Sequence, residues 1–503
     1  MNPLASFVAD LADVPAIVGS GLPGLRRSRY LLIHIEDAQA ALAWLRQVLA
    51  LNVVHSVEQV RCGNPGRRWW QREREDAPQR RSERVRESAT LAFSHAGLRA
   101  LGAEEDTELP FPSAFRTGMA SPLRRRLLGD EPEPWRWGDA GEPGEFAAHV
   151  LVAHCWEEDA APAPPLDPAA LPAGLRVLSV SSCPSYVDPM APGAGPAMYE
   201  PFGFRDGIGQ PVLAGLALST FERRAREAAG AAFDDRVVQP GEFVLGQPNE
   251  YAERAYAPSL RRWPGQRSAD GGFGRNGSYL AVRQIEQHVS AFHGFVAAHP
   301  VLQGGAALVG RRAADGRSLL GVAQAPREID AFRYLQTDAH GFECPRGAHA
   351  RRAQPRDALS RSVADGIAAS KIHRLLRRGR VYTEACMTGG PVEACAGAPG
   401  GRDCNRPCGR GLMFVALAAD LERQFEFVQR HWINGPRFGD LSDEPDPLLG
   451  TSARRAFSVQ GCPVGQRIEG LPRFTTVRGG GYFFAPGLRA LRWLAEGKQF
   501  GGG

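Results

Sequence analysis

Two stretches of this chain repeat one order of hydrophobic patterns, in which an apolar run of strand length is followed by apolar residues at helical spacing. In the first stretch, residues 29–35 form the apolar run and residues 37–51 carry the helical pattern. In the second stretch, residues 278–283 lead into residues 285–299 in the same way. Strands interleaved with helices place those helices across a face of the sheet, so the pattern predicts an α+β fold.

Length and pattern together predict two ferredoxin-like halves, each an antiparallel sheet with helices on one face, in the manner of a dimeric α+β barrel. A chain of 503 residues is long for one compact core, and a duplicated architecture is therefore expected. We place the boundary near residue 200, which gives an N-terminal half of residues 1–200 and a C-terminal half of residues 201–503.

Other local patterns add detail to this prediction. Residues 52–60 alternate enough to predict a second strand, whereas residues 62–87 are crowded with charged residues and proline and predict an exposed loop. Residues 411–418 predict a strand, and Asp420 is expected to cap a helix that runs through Trp432. The two halves share this order of elements without a recognisable repeated sequence.

The composition argues against two classes of partner. A formal net charge of +5 is small for this length and argues against nucleic acid as the main partner. No window approaches the roughly eighteen uninterrupted apolar residues of a membrane helix, so no membrane association is expected.

Nine cysteines at irregular spacing fit a reducing compartment better than a disulfide scaffold, and a cytoplasmic location is expected.

The histidine at position 349 ends a Cys-Pro-Arg-Gly-Ala-His run. A neutral imidazole on a loop held by proline and glycine suits a single axial bond to a metal. An arginine-dense segment follows at residues 373–380, and arginine supplies a fixed cation that stays protonated. Most lone histidines are surface or satisfied core residues, so this run alone leaves both interpretations open.

A second motif, Gly-Phe-Arg-Asp-Gly-Ile-Gly-Gln-Pro, covers residues 203–211. The glycines around Asp206, Gly207 among them, allow backbone angles that other residues avoid and let a flat ligand approach the main chain closely. An Asp-Gly dipeptide by itself is best explained as a simple turn. The nine-residue run is a more specific signal than that dipeptide, so a ligand-binding loop is also considered.

These motifs resemble those of the DyP-type (dye-decolourising) haem peroxidases, and the resemblance extends over nearly the whole chain. The run GFRDG matches the GxxDG signature of the family. The order and joint presence of the matching segments make the resemblance strong; the segments are GFRDGIGQP, GEFVLGQPNEY, GSYLAVRQIEQ, CPRGAHARRAQPRD, HRLLRRGRVY, GLMFVALAADLERQFEFVQ, DEPDPLLG and VRGGGYFFAPGL.

The resemblance implies a haem b cofactor held in the C-terminal half, with a role for each matching residue. His349 would be the proximal ligand of the haem iron, and Asp206 would be the acid–base group on the distal side. Arg377 would be the distal arginine, with Arg378 the less favoured choice. Gly207 would bring the main chain close to the cofactor.

The resemblance also implies neighbours for the haem and for its histidine ligand. Leu412 and Phe414 match the apolar residues over the distal face of the haem. Asp446 would accept a hydrogen bond from the second nitrogen of the ligand histidine, and such a bond fixes the ring's orientation and raises its basicity. Glu444 and Asp443 are close enough in sequence to be alternatives for this role.

The implied activity is reduction of hydrogen peroxide coupled to oxidation of bulky phenolic or dye-like donors. Peroxide cleavage needs a carboxylate that takes a proton from one oxygen and returns it to the other, together with a fixed cation for the developing anion. Asp206 and Arg377 supply these groups and favour an enzyme over the alternative, a haem carrier or iron-releasing haem-handling protein with the same pocket. The natural donor, a surface electron-transfer residue and a homo-oligomeric state are left open.

Residues 384–410 depart from the family pattern and hold four cysteines, at positions 386, 395, 404 and 408. Their spacing contains one tight pair without a partner pair, so free thiols or a redox-labile pair are favoured over a zinc site.

Overall fold

The computed structural model describes residues 3–498 except positions 23, 63–84, 131–133, 141–146, 161, 184–198, 217–234, 267, 320–332, 384–408 and 453–454. The predicted loop at 62–87 and the cysteine-bearing segment at 384–410 therefore fall almost entirely outside the described residues. Eight of the ten strands of the main sheet form a closed ring: β1 (Arg27–Ile35), β2 (Glu87–Phe93), β3 (Val150–Trp156), β4 (Leu175–Cys183), β5 (Ser278–Gln287), β6 (Arg380–Thr383), β7 (Arg410–Ala418) and β8 (Thr475–Ala485).

The ring is built from two antiparallel sheets with the same strand order. The first four strands run in the order β4–β1–β3–β2, and the last four run in the order β8–β5–β7–β6. Two single residue pairs join the sheets, Phe93 with Phe484 and Ser182 with Thr383. This topology confirms the predicted α+β class with two ferredoxin-like sheets. The domain boundary near residue 200 stays a prediction.

Apolar side chains from all eight strands fill the interior of the ring. Side chains alternate along a strand, so Tyr30 and Leu32 of β1 contribute to this interior cluster while Leu31 and Ile33 join a second cluster on the outer face. Removing this apolar surface from water stabilises the fold by roughly 25 cal/mol per Å². The N-terminal residues add side chains such as Phe7 to the interior and thereby pack across the ring.

Helices cover the outer faces of both sheets. Helix Ala38–Ala50 begins after Asp37, whose side chain accepts hydrogen bonds from the N–H groups of Gln39 at 2.7 Å and Ala40 at 3.1 Å. Over the second sheet, two π-helical pieces, Glu422–Glu426 and Val428–Ile433, follow β7. The other α-helices are Pro3–Ala9, Ala16–Gly19, Val57–Cys62, His95–Ala100, Ser113–Thr117, Pro122–Leu128, Val289–Ala298, Ala306–Val309, Tyr334–Asp338, His349–Ala353, Val363–Lys371 and Leu488–Ala495, and the further short strands are Trp137–Gly138, Val212–Leu213, Val237–Val238, Leu376–Arg377, Ala456–Val459 and Gln466–Glu469.

The strand predicted at residues 52–60 is wrong, because helix Val57–Cys62 occupies its second part. Ser56 and Gln59 cap this helix reciprocally: the N–H of Ser56 donates to Oε1 of Gln59 at 2.8 Å, and the N–H of Gln59 donates to Oγ of Ser56 at 3.2 Å. The helix predicted to begin at residue 285 also starts later, at Val289, because β5 extends through Gln287. In the described part of the chain, every helix is too short or too polar to cross a membrane.

Candidate active site

A cavity of about 440 Å³ lies against the outer face of the C-terminal sheet. Its volume falls within the roughly 300–1,000 Å³ that is usual for small-molecule and cofactor sites. Arg283, Ile285 and Gln287 of β5 line it together with Leu412 and Phe414 of β7. Val282, next to Arg283, and Val415, next to Phe414, belong to the apolar cluster inside the ring. Because side chains alternate along each strand, Arg283 and Phe414 face the opposite side, which places the cavity outside the ring.

His349 begins the short helix His349–Ala353, and its ring lines this cavity. Its Nδ1 lies 2.9 Å from Oδ2 of Asp446. The other oxygen of Asp446 accepts hydrogen bonds from the N–H groups of Leu448 at 2.9 Å and Leu449 at 2.8 Å. The Asp446 side chain is fully buried and held by three donors, so it fixes the ring and leaves Nε2 of His349 for a partner in the cavity.

The charge of Asp446 follows from its surroundings. Burial would raise the pKa of the Asp446 carboxyl, but His349, Arg352 and the N–H of Leu449 outweigh burial and hold that pKa below its usual range. Its sequence neighbour Glu444 bonds instead to the N–H and Oγ of Ser458 and to Arg467. Asp446 therefore contacts the histidine, whereas the carboxylate of Glu444 is bonded elsewhere.

Asp206 and Gly207 also line the cavity. Oδ1 of Asp206 accepts a hydrogen bond from the N–H of Gly207 at 2.6 Å. Gly207 has a φ of +77°, a conformation that L side chains rarely adopt, and a Cβ built on it would meet no atom within 4 Å. The main chain beside Asp206 therefore borders open space into which a flat ligand can fit.

Arg377 is joined directly to the loop that carries Asp206. It belongs to the two-residue strand Leu376–Arg377, which pairs with β7. Its Nη2 donates to the carbonyl oxygen of Ile208 at 2.9 Å, and its main-chain N–H donates to Oε1 of Gln210 at 3.0 Å. These two hydrogen bonds bring the GFRDGIGQP motif and the arginine-dense segment together at one wall of the cavity.

The neighbouring arginines bind the N-terminal part of the chain. Arg378 donates from Nε to the carbonyl of Ile17 at 2.7 Å, from Nη2 to that of Val18 at 2.9 Å and from Nη1 to that of Arg377 at 3.1 Å. Arg380 donates from Nη1 to the carbonyl of Leu25 at 2.7 Å and from Nη2 to two further carbonyls, of residues 21 and 22, at 3.0 Å each. The N-terminal segment thus holds the arginine-dense segment through main-chain oxygens.

Several cavity residues were not singled out from sequence. Glu200 lies three residues before the nine-residue motif and Gln210 lies within it, so closeness to Asp206 is the sequence signal that could have indicated both. Arg283 belongs to the matching segment GSYLAVRQIEQ but was assigned no role there, and Arg311 comes from a segment with no motif of its own. The two arginines reach the cavity through the fold, since Arg283 is an outward-facing residue of β5 and Arg311 follows the helix Ala306–Val309.

The residues of the cavity fit a haem. The π-helical pieces supply apolar walls through Phe425, Val428, Trp432 and Ile433. An imidazole with its Nδ1 engaged is the group that an axial iron bond requires. Cationic side chains for the cofactor's carboxylates are present on several elements; the arginines that line the cavity are Arg205, Arg283, Arg311, Arg374, Arg377, Arg378 and Arg380.

Comparison with known proteins gives a consistent family. The chain is 27% identical to a dye-decolorizing peroxidase of Mycena epipterygia over 458 residues, which cover 81% of this chain and 76% of the relative. It is 33% identical to the multifunctional dye peroxidase of an Amycolatopsis species over 242 residues, which cover 43% of this chain and 49% of that protein. No family model matches the chain.

Solved structures of DyP-type peroxidases resemble this fold. The DyP-type peroxidase of an Anabaena species superposes with a TM-score of 0.69 at 22% identity, covering 97% of this chain and 95% of that one. The Amycolatopsis enzyme superposes with a TM-score of 0.68 at 22% identity, covering 98% and 97%. The chain is thus similar in sequence to dye-decolorizing peroxidases over four fifths of its length, and it shares the fold of DyP-type peroxidases over nearly all of it.

Proposed function

We propose that this protein uses haem b to reduce hydrogen peroxide and to oxidise bulky phenolic or dye-like donors. The observation that carries the proposal is one cavity lined by His349, Asp206 and Arg377, with the histidine held at its rear nitrogen by the buried Asp446. When bound, haem supplies the redox-active iron at which peroxide is cleaved and through which the electrons of the donor pass.

His349 would hold the haem iron through Nε2. Asp446 keeps the proton of the ring on Nδ1, because its Oδ2 accepts that N–H at 2.9 Å. A carboxylate in this position orients the imidazole and increases its basicity. Leu412 and Phe414 present apolar side chains to the cavity and exclude water from the face of the cofactor that they cover.

Asp206 is the proposed proton carrier. Its Oδ1 is engaged by the N–H of Gly207, so Oδ2 is the atom that accepts a proton from hydrogen peroxide and returns it to the departing oxygen. One carboxylate performs both transfers when the two peroxide oxygens lie within a hydrogen bond of it, directly or through one water.

Arg377 is the proposed cation for the negative charge that develops on the peroxide oxygens. Arg378 is less suited to this role, because its three guanidinium nitrogens donate to main-chain carbonyls. The hydrogen bonds from Arg377 to Ile208 and Gln210 hold the guanidinium and the Asp206 loop at a fixed spacing. A positioned pair of this kind contributes to catalysis without having to reorganise during the reaction.

Stopped-flow spectra of three variants test the assignment. We expect Asp206→Ala and Arg377→Leu to bind haem and to slow the reaction with hydrogen peroxide by roughly 100-fold or more, the usual range for removing an acid–base group or a charge-stabilising donor. We expect His349→Ala to weaken or empty the haem site. Arg261→Leu, at an exposed arginine outside the cavity, is the matched control.

Rates in the first two variants that equal the wild-type rate would discard the roles of Asp206 and Arg377. Wild-type protein that binds haem and shows no turnover of peroxide with any phenolic or dye-like donor would favour the haem-carrier alternative.

A further inference from the structure

Glu200 lies just before the GFRDGIGQP motif, and its half-buried side chain lines the wall of the cavity. Its Oε2 accepts hydrogen bonds from the N–H of Phe202 at 2.9 Å and from Nε2 of Gln287 at 2.5 Å. Its Oε1 accepts from the N–H of Phe204 at 2.8 Å. Because Gln287 is the last residue of β5, this carboxyl joins the motif to the sheet.

The main chain of Glu200 binds the same turn as its side chain. The N–H of Glu200 donates to the carbonyl of Phe204 at 2.9 Å, and the carbonyl of Glu200 accepts from the N–H of Gly203 at 2.8 Å. Gly203 has a φ of +94°, which lets the chain reverse within these few residues. Asp206 follows the turn directly, so the clamp at Glu200 sets the point from which Asp206 extends into the cavity.

The carboxyls of Glu200 and Asp206 are close enough for the charge of one to affect the pKa of the other. Burial, together with the nearby charge of Asp206, raises the pKa of Glu200 to about 7, although the hydrogen bonds from Gln287, Phe202 and Phe204 lower it. A buried carboxyl of this kind is costly unless its hydrogen bonds are made. The hydrogen bonds that offset this cost come from the turn before Asp206 and from the end of β5.

We propose that Glu200 is a positioning residue, which holds the turn at 200–206 to β5 and thereby fixes the Asp206 carboxyl relative to Arg377. The far end of the same loop is already held, since Ile208 and Gln210 bind Arg377. Without the clamp at Glu200, the turn before Asp206 loses its hydrogen-bonded connection to β5 and keeps its own main-chain bonds and the packing of Phe202 and Phe204 on Phe292. This inference rests on the proton-carrying role proposed for Asp206.

A double-mutant cycle between Glu200 and Asp206 tests the proposal in the haem-loaded protein. We expect Glu200→Gln to slow the reaction with hydrogen peroxide by about 10- to 100-fold, because displacing a catalytic group by about 1 Å has effects of that size. In the Asp206→Ala background the same change should alter the remaining rate by less than about twofold. An equal loss in both backgrounds, or no loss in either, would overturn the proposal.

Amide hydrogen exchange provides a readout that does not depend on activity. In the haem-free protein, Glu200→Gln should speed exchange of the N–H groups of Phe202 and Phe204 by about 2- to 10-fold, the loss expected for one net hydrogen bond each. Unchanged exchange at both amides would overturn the clamp itself. If Asp206→Ala reacts as fast as wild type, the proposed function fails, while the exchange measurement still decides whether the clamp exists.

Two further variants guard against a merely structural effect. Glu200→Asp keeps two acceptor oxygens and should retain more of the rate than Glu200→Gln, which replaces an acceptor with a donor. Asp139→Asn is the matched control, because Asp139 is a buried carboxyl outside the cavity that accepts from the N–H groups of Met119, Ala120 and Tyr482. It should change stability without changing the rate.

If Glu200→Gln does not accumulate as a folded protein, Glu200→Asp and Gln287→Leu replace it in the double-mutant cycle. Each is then measured with and without Asp206→Ala. A larger loss for Glu200→Asp than for Glu200→Gln, or a rate loss in the control as large as that at Glu200, would also overturn the proposal.

Discussion

Replacing Asp446 with asparagine changes one atom of the group that holds His349. The asparagine oxygen can still accept from the N–H groups of Leu448 and Leu449, as Oδ1 of the aspartate does. Its amide nitrogen then faces Nδ1 of the histidine, where Oδ2 now lies at 2.9 Å. Two donors cannot share that contact, so the ring must move its proton to Nε2, the atom proposed to bind iron.

The size of the effect follows from the bond that is lost. A hydrogen bond to a charged group contributes about 1.5–3 kcal/mol, and every 1.4 kcal/mol or so is tenfold in an equilibrium constant. Removal of a carboxylate that supports a metal-ligating histidine usually weakens metal binding by about 10- to 100-fold. We therefore expect Asp446→Asn to bind haem roughly 10- to 100-fold more weakly than the wild type.

The assay is titration of the haem-free proteins with haem at neutral pH, followed by visible absorption. Asp357→Asn is the matched control, because Asp357 is a fully buried carboxyl that accepts from the N–H groups of Leu335 and Gln336 and has no histidine partner. Haem affinity of Asp446→Asn within twofold of wild type, with an unaltered ferric spectrum, would refute the reasoning from the ring proton.

Three further outcomes are expected. Burial, and then His34, lower the pKa of His149 to about 4 from its usual 6.5, so protonating this residue destabilises the fold. The free energy of unfolding should be constant above pH 6.5 or so and should fall by up to about 3 kcal/mol as the pH falls toward 4. Urea unfolding of wild type and His149→Gln at the two ends of this range measures the loss, and equal pH dependence in the two proteins would contradict it. Burial raises the pKa of Asp139 to about 6 from 3.8, so here a rise in pH, not a fall, destabilises the fold. The free energy of unfolding of wild type should fall by up to about 3 kcal/mol relative to that of Asp139→Asn as the pH rises from about 4 to 7. A difference between the two proteins that does not change with pH would be evidence against this. Gly207→Ala should lower the free energy of unfolding by about 1–2 kcal/mol because alanine is strained at a φ of +77°, and it should also slow the peroxide reaction; an unchanged melting temperature would show that the turn relaxes.

Much of the frame could be predicted from the sequence because strands and helices leave periodic patterns. The apolar run at 29–35 became β1, and the helical pattern at 37–51 became helix Ala38–Ala50, which Asp37 caps. The run at 411–418 became β7, and Oδ1 of Asp420 accepts from the N–H of Arg423 at 2.9 Å at the start of the next helix. In each case the deciding contacts are local, so a short window of sequence contains them.

The errors and omissions arise where contacts are not local or where a short pattern has two interpretations. The alternation at 52–60 was typical of a strand, yet the Ser56–Gln59 spacing was a capping signal in the same window and determined the outcome. Glu200 showed no pattern, because its contact with Gln287 depends on how the second half folds. Sequence spacing could not rank the carboxylates near residue 446, since only the fold brings one of them to His349.

The way the N-terminal segment holds Arg378 and Arg380 has a consequence for how this protein can vary. Every bond in that set ends on a carbonyl oxygen, a group that all twenty amino acids carry in the same place. Of the residues that supply these oxygens, Gly21 and Leu22 are not buried and can exchange side chains without loss of the bonds, whereas burial constrains the side chains of Ile17, Val18 and Leu25. Deleting or inserting a single residue in this segment would shift the row of acceptors, so its spacing is constrained even where its side chains are not.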